Sequence, residues 1–136
     1  KEATGDLNRL KAIQELVDDN FKLFSGDDFT LLPFIEQGGH GVVTVSGNVA
    51  AGQVAKLCRL ALEGQNDAAK ELDNSLQALN KALFVESNPI PVKWAVSQMG
   101  LMEANIRLPL TPYESQFHDQ MREAMRQAGV ASEESA

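Results

Sequence analysis

Two short β-prone runs set among helical patterns constrain this chain more than any other feature. Residues 21–25 (Phe-Lys-Leu-Phe-Ser) and 40–45 (His-Gly-Val-Val-Thr-Val) read as strands. The second is rich in β-branched residues, which suit a largely buried, pleated surface. A helical pattern precedes the first run, another lies between the two, and a third follows. That order implies parallel strands joined by helical crossovers. Two parallel strands do not make a sheet by themselves. Parallel sheets are covered on both faces and extended by further strands, and both edges here would offer unpaired backbone groups.

The 136-residue chain opens on Lys1 without an initiator Met, and it is expected to be a piece of a longer protein. The simplest completion is a (β/α)8 barrel of about 250 residues, with its chemistry at the C-terminal ends of the strands. The expected fold class is therefore α/β. Residues 1–64 would form the C-terminal part of a TIM barrel, and residues 65–136 a C-terminal region of three helices. In that frame Lys1, the stretch from Ser25 to Asp27 and the stretch from Val43 to Ser46 would meet at one mouth.

The helices are legible from spacing. Leu7, Leu10, Ile13 and Val17 share a face of a helix running from Asp6 to about residue 18, with the Asp6 carboxylate at the positive end of its dipole. Thr30 is placed as the N-cap of a second helix over 30–37, with Pro33 in the first turn and Gly38-Gly39 closing it. Asn48 is placed as the cap of a third, striped by Val54, Leu57, Cys58 and Ala61 and ended by Gly64. After Asn66 the pattern is purely helical. Ala69, Leu72, Leu76, Leu79 and Leu83 line one helix, and Pro91 opens the next, which carries Val92, Ala95, Val96 and Met99. Thr111-Pro112-Tyr113-Glu114 reads as a capping box for the last, with Phe117, Met121, Ala124, Met125 and Ala128 on its apolar face. Residues 131–136 read as a solvated tail.

Composition narrows the function classes. A net charge of −7 and a pI near 4.7 lack the basic footprint of a nucleic-acid binder. No stretch approaches the ~18 continuous apolar residues of a membrane span. One cysteine, Cys58, excludes an internal disulfide and fits a reducing compartment; with no secretory signal at the start, a cytoplasmic location is expected. No His/Cys/Asp/Glu cluster has metal-ligand spacing. Gly38-Gly39-His40-Gly41 precedes a strand rather than linking strand to helix, so it fails as a phosphate loop. Asp27 and Asp28 read as helix caps, His40 as a turn or strand-entry residue, His118 as part of a solvated face, and Trp94 as a packing residue.

Six motifs stand in order and at consistent spacing: Lys1-Glu2-Ala3-Thr4-Gly5-Asp6-Leu7, Ser25-Gly26-Asp27-Asp28, Gly38-Gly39-His40-Gly41-Val42-Val43, Asn48-Val49-Ala50, Asn88-Pro89-Ile90-Pro91-Val92-Lys93-Trp94-Ala95, and Arg107-Leu108-Pro109-Leu110-Thr111-Pro112. Together they resemble the C-terminal part of the 4-hydroxy-tetrahydrodipicolinate synthase (dihydrodipicolinate synthase) family. The resemblance implies a class I aldolase. Pyruvate would form a Schiff base on Lys1, and the derived enamine would attack aspartate 4-semialdehyde on the route to diaminopimelate and lysine. No cofactor beyond that covalent imine is implied, and no metal.

A free lysine, near pKa 10.4, is almost wholly protonated at neutral pH, so such a site must desolvate the amine or set a cation beside it. By the same resemblance, backbone groups of Gly26 and Val43 line the pyruvate pocket. The family usually has isoleucine at the second position, so this chain is one methylene shorter there. The family's proton-relay tyrosine, second-substrate arginine and allosteric lysine site have no counterpart here, and Tyr113 is not the relay. The implied partners are pyruvate, aspartate 4-semialdehyde, the N-terminal half of the barrel, and further subunits of a homotetramer, which Leu7 and Asn8 would approach. The alternatives are a related pyruvate-dependent aldolase such as an N-acetylneuraminate lyase, or an inactive helical interaction module.

Overall fold

The computed structural model describes residues 1–130; the tail expected over 131–136 lies outside them. Six α-helices follow one another: α1 (Leu7–Gln14), α2 (Leu31–Glu36), α3 (Ala51–Leu62), α4 (Asn66–Ala82), α5 (Ile90–Gln98) and α6 (His118–Gln127). Short 3-10 turns precede α3 (Ser46–Asn48) and α6 (Ser115–Phe117). The chain divides into two compact units, one of Lys1–Thr44 with Gly52–Asn74, the other of Val45–Ala51 with the chain from Ser75 onward.

The two expected strands are the main correction. Among the described residues neither 21–25 nor 40–45 forms a ladder; each contributes one residue to a parallel bridge, Glu2 with Ser25 and Ser25 with Val42. The direction and the order of the three segments are as read from the sequence. Their length is not, because a parallel ladder grows by consecutive pairing with flanking strands, and these segments meet at single residues.

In the first unit Leu10, Leu23 and Phe34 are buried together, with Leu7 and Ile13 packed against them. Asp6 is the N-cap of α1, its carboxylate accepting from the Asn8 amide at 2.9 Å. At α2 the expected side-chain cap bond from Thr30 is absent; instead Asp27 Oδ2 accepts from the Thr30 amide at 2.9 Å and from its hydroxyl at 2.7 Å.

The end of α2 is the Schellman arrangement that Gly38-Gly39 forecasts. Gly38 takes φ +92° and donates to the Ile35 carbonyl, and Gly39 donates to that of Phe34. A β-carbon on Gly39 would stand 2.2 Å from Phe34 Cδ1 and 2.7 Å from the Phe34 carbonyl oxygen. Phe34 is 2% exposed and cannot swing away. Gly39→Ala is therefore expected to cost about 1–3 kcal/mol or more through overpacking, read as a lowered urea midpoint at unchanged m-value.

The second unit corrects three details. Asn48 belongs to the 3-10 turn, where its side-chain amide donates to the Val45 carbonyl at 3.0 Å, and α3 starts three residues later. Thr111-Pro112-Tyr113-Glu114 is not helical; Glu114 is extended, and its amide donates to Glu86 Oε1 at 2.9 Å. His118 is not on a solvated face. Its ring is half-buried and stacks on Trp94 at 4.3 Å, and its Nε2 lies 3.3 Å from the Tyr113 carbonyl. A carbonyl only accepts, so the proton sits on Nε2. The Arg122 guanidinium lies 5.5 Å from the centre of the Trp94 ring, and Met121 and Met125 are buried as expected.

Tyr113 packs 5.3 Å from Trp94 and is 7% exposed. Its phenolic oxygen has no hydrogen-bond partner among the described residues. Burial, with the negative charge of Glu86 adding to it, pushes the phenol up to about 12 from 10.0. A raised pKa means that the folded state holds the proton more tightly. That contribution to stability is complete below about pH 10 and is lost as pH climbs toward 12. This is the chain's only tyrosine, so phenolate absorbance isolates it. The folded chain should ionise about two units above the urea-unfolded one.

Candidate active site

The site is built where the three extended segments touch. The Glu2 amide donates to the Phe24 carbonyl at 2.9 Å, and the Gly26 amide donates to the Glu2 carbonyl at 2.6 Å. On the other side Ser25 donates to the Gly41 carbonyl, and Val43 donates to that of Ser25 at 2.8 Å. Ser25 is thus the shared middle residue. It is 1% exposed, and its hydroxyl exchanges bonds with the backbone of Asp27 at 3.0 Å in both directions. Lys1, Gly26 and Val43 each stand one residue along from a bridged position. Lys1 and Val43 are exposed, and Gly26 is partly buried.

The relation between Lys1 and Gly26 is steric. A β-carbon at position 26 would lie 2.4 Å from Lys1 Cε and 2.6 Å from Ala3 Cβ. The lysine stem therefore runs across the space that glycine leaves open.

Three carboxylates brace the surroundings of these segments. Glu2 accepts from Thr4 through its amide at 3.1 and 3.3 Å and its hydroxyl at 2.9 Å, and Arg9 Nε approaches at 3.4 Å. Asp27 caps α2. Asp28, 3% exposed, accepts from the Thr44 hydroxyl and ties the third segment to the turn after Gly26. Of the two aspartates expected as helix caps, Asp27 sits at the helix entry through its bonds to Thr30, whereas Asp28 corrects the expectation by bonding the Thr44 hydroxyl of the third segment. His40 is also a structural residue: its Nδ1 accepts from the Leu23 amide at 3.1 Å, and its own amide donates to the Leu23 carbonyl at 2.8 Å. Cys58 is half-buried, and burial pushes its thiol up, as suits a packing residue. Among the described residues no three His, Cys, Asp or Glu side chains are grouped to hold a metal ion, and no helix is long and apolar enough to cross a membrane.

Sequence reasoning passed over Glu2, Thr4 and Arg9. The available signal was alternation: in an extended segment Lys1 and Glu2 project to opposite sides, so a charged residue after the lysine must find a partner behind the site.

Residues 1–128 match the family model described as the Dihydrodipicolinate synthetase family. The chain belongs to that family. It is 52% identical to the 4-hydroxy-tetrahydrodipicolinate synthase of Psychromonas ingrahamii over 97% of this chain and 45% of that protein. Among solved structures it resembles the chloride-inhibited dihydrodipicolinate synthase of Acinetobacter baumannii complexed with pyruvate. There the TM-score is 0.90 at 40% identity, covering 96% of this chain and 45% of that one. The dihydrodipicolinate synthase of Aquifex aeolicus gives a TM-score of 0.93 at 37% identity over 98% of this chain and 45% of its own. These family structures are TIM-barrel enzymes, and this chain spans about 45% of the length of such relatives.

Proposed function

We propose that this chain is the C-terminal part of a 4-hydroxy-tetrahydrodipicolinate synthase, with residues 1–64 completing a barrel and residues 65–136 as its C-terminal helical region. The enzyme condenses pyruvate with aspartate 4-semialdehyde in lysine (diaminopimelate) biosynthesis. The observation that carries this reading is the seating of Lys1 across Gly26, whose segment is bridged on its other side to that of Val43, in a chain whose family members are named for that activity.

In this reading the neutral Lys1 amine attacks the keto carbon of pyruvate, and loss of water leaves a protonated imine. The imine draws electrons from the adjacent C–H bond, so the pyruvate methyl group loses a proton and becomes an enamine carbon. That carbon forms a C–C bond with the aldehyde of the second substrate. Attack of the substrate amine on the imine carbon then closes the ring and releases Lys1. The lysine Schiff base does the work a cofactor would otherwise do. Backbone groups of Gly26 and Val43 hold the pyruvate; a backbone contact is insensitive to the methylene that Val43 lacks relative to isoleucine. The proton relay and the grip on the aldehyde come from the N-terminal half. The enzyme is cytoplasmic and assembles as a homotetramer.

Borohydride trapping tests this. The full-length enzyme treated with pyruvate and borohydride gains a reduced pyruvyl group on Lys1, located by peptide mass. This chain alone gains none, and regains it when the N-terminal half is supplied. A full-length enzyme that stays unmodified would overturn the proposal.

A further inference from the structure

Glu2 makes contacts that the aldolase reading leaves unused, and they converge on the backbone that carries Lys1. Its side chain is 11% exposed, beside an Arg9 side chain that is 59% exposed. Its carboxylate collects the Thr4 amide, the Thr4 hydroxyl and the Arg9 guanidinium. The chain of bonds continues: the Thr4 hydroxyl accepts from the Asp6 amide at 3.2 Å, and Asp6 caps α1, from whose first turn Arg9 reaches back. The result is a closed loop from Glu2 through Thr4, Asp6 and Arg9. Through its own N–H and C=O, Glu2 is also fixed to Phe24 and Gly26. The peptide joining Lys1 to Glu2 is thereby held on both its side-chain and its ladder faces.

An ion pair whose arginine is 59% exposed adds little to stability, and two of the three groups that the carboxylate collects belong to a residue only two positions away. Its larger effect is orientational. A lysine stem carries about 2 kcal/mol of rotamer entropy, and a nucleophile that swings off Gly26 misses the ketone. We propose that Glu2 is a positioning residue, its carboxylate fixing the backbone from which the Lys1 amine reaches pyruvate. This rests on the Schiff-base role of Lys1 given above.

The test uses the full-length enzyme. Glu2→Ala is expected to slow imine formation, followed by borohydride trapping, by roughly 10- to 100-fold per folded enzyme. The loss should fall on kcat, with KM for pyruvate within about threefold. Glu2→Gln keeps an oxygen for both Thr4 donors and should restore most of the rate; Thr4→Val, which removes only the hydroxyl, should lie between. A mere loss of folded protein would lower the amplitude of trapping in every variant and leave its rate constant unchanged, whereas a displaced amine lowers the rate constant itself. Wild-type trapping rates in Glu2→Ala would overturn the inference, as would a Glu2→Gln enzyme as slow as the alanine variant. Should Glu2→Ala fail to fold, Glu2→Gln and Thr4→Val carry the comparison, and equal, unslowed trapping in Thr4→Val overturns it. A wild-type enzyme that never traps pyruvate fails the Schiff-base proposal instead, so the two failures are distinct.

Discussion

Lys1→Arg in the full-length enzyme is expected to abolish pyruvate trapping and to lower turnover by at least about 10³-fold. The substitution keeps a positive charge and a long stem, so it separates charge from nucleophilicity. A guanidinium stays protonated in proteins and has no free electron pair to offer a ketone, so the imine cannot form and the electron sink for the pyruvate methyl group is lost. Geometry adds to this. The lysine stem crosses the gap left by Gly26, and a planar, branched head would have to follow the same narrow track. Stability should change by less than about 0.5 kcal/mol, because position 1 is exposed. Trapping that persists in the arginine variant, mapped to another lysine of the chain, would show that the nucleophile had been misassigned.

Much of the scaffold was readable because it follows from local rules. Asp6 begins α1 where its carboxylate meets an otherwise unpaired amide, and Gly38-Gly39 ends α2 because the chain must turn left-handed there. Leu76, Leu79 and Leu83 fall inside at helical spacing. What could not be read depended on partners far along the chain. The four residues from Thr111 to Glu114 have the letters of a capping box. Yet Glu86, 28 positions earlier, takes the Glu114 amide, and Tyr113 is drawn against Trp94, so the helix waits until His118. The same Trp94 contact buries a histidine whose neighbours in sequence, Asp119 among them, suggested solvent.

The strands fall in the same class. Val42, Val43 and Val45 have the side chains of a buried strand, but a ladder needs a backbone on either side, and here each segment meets its neighbour at one residue. In the candidate site, the positions of Lys1, Gly26 and Val43 came from motifs, whereas the Glu2 to Thr4 and Arg9 bonds and the Asp28 to Thr44 bond needed coordinates. A carboxylate in sequence does not announce which donor it will meet.

Gly26→Ala should be the most damaging small change that leaves every reacting atom in place. The added carbon would lie 2.4 Å from Lys1 Cε, 3.1 Å from Lys1 Cγ and 2.6 Å from Ala3 Cβ. The lysine stem is flexible and can move, but moving it carries the amine off its track. The Ala3 methyl group cannot move alone, because the Glu2 backbone beside it is bonded on both sides to the middle segment. The chain must choose between displacing the nucleophile and prising two bridged segments apart. The expected result is a loss of about 10²-fold or more in kcat/KM for pyruvate, the scale of a displacement near 1 Å, with about 1–3 kcal/mol of destabilisation from overpacking. Adding Ala3→Gly to Gly26→Ala removes one of the two collisions, so the pair should couple. The double variant should recover part of the urea midpoint while its trapping rate stays low, because the contact with Lys1 remains. Recovery of both together would mean that Ala3, not the lysine stem, is what the glycine accommodates, and a Gly26→Ala enzyme with an undiminished trapping rate would remove Gly26 from the site.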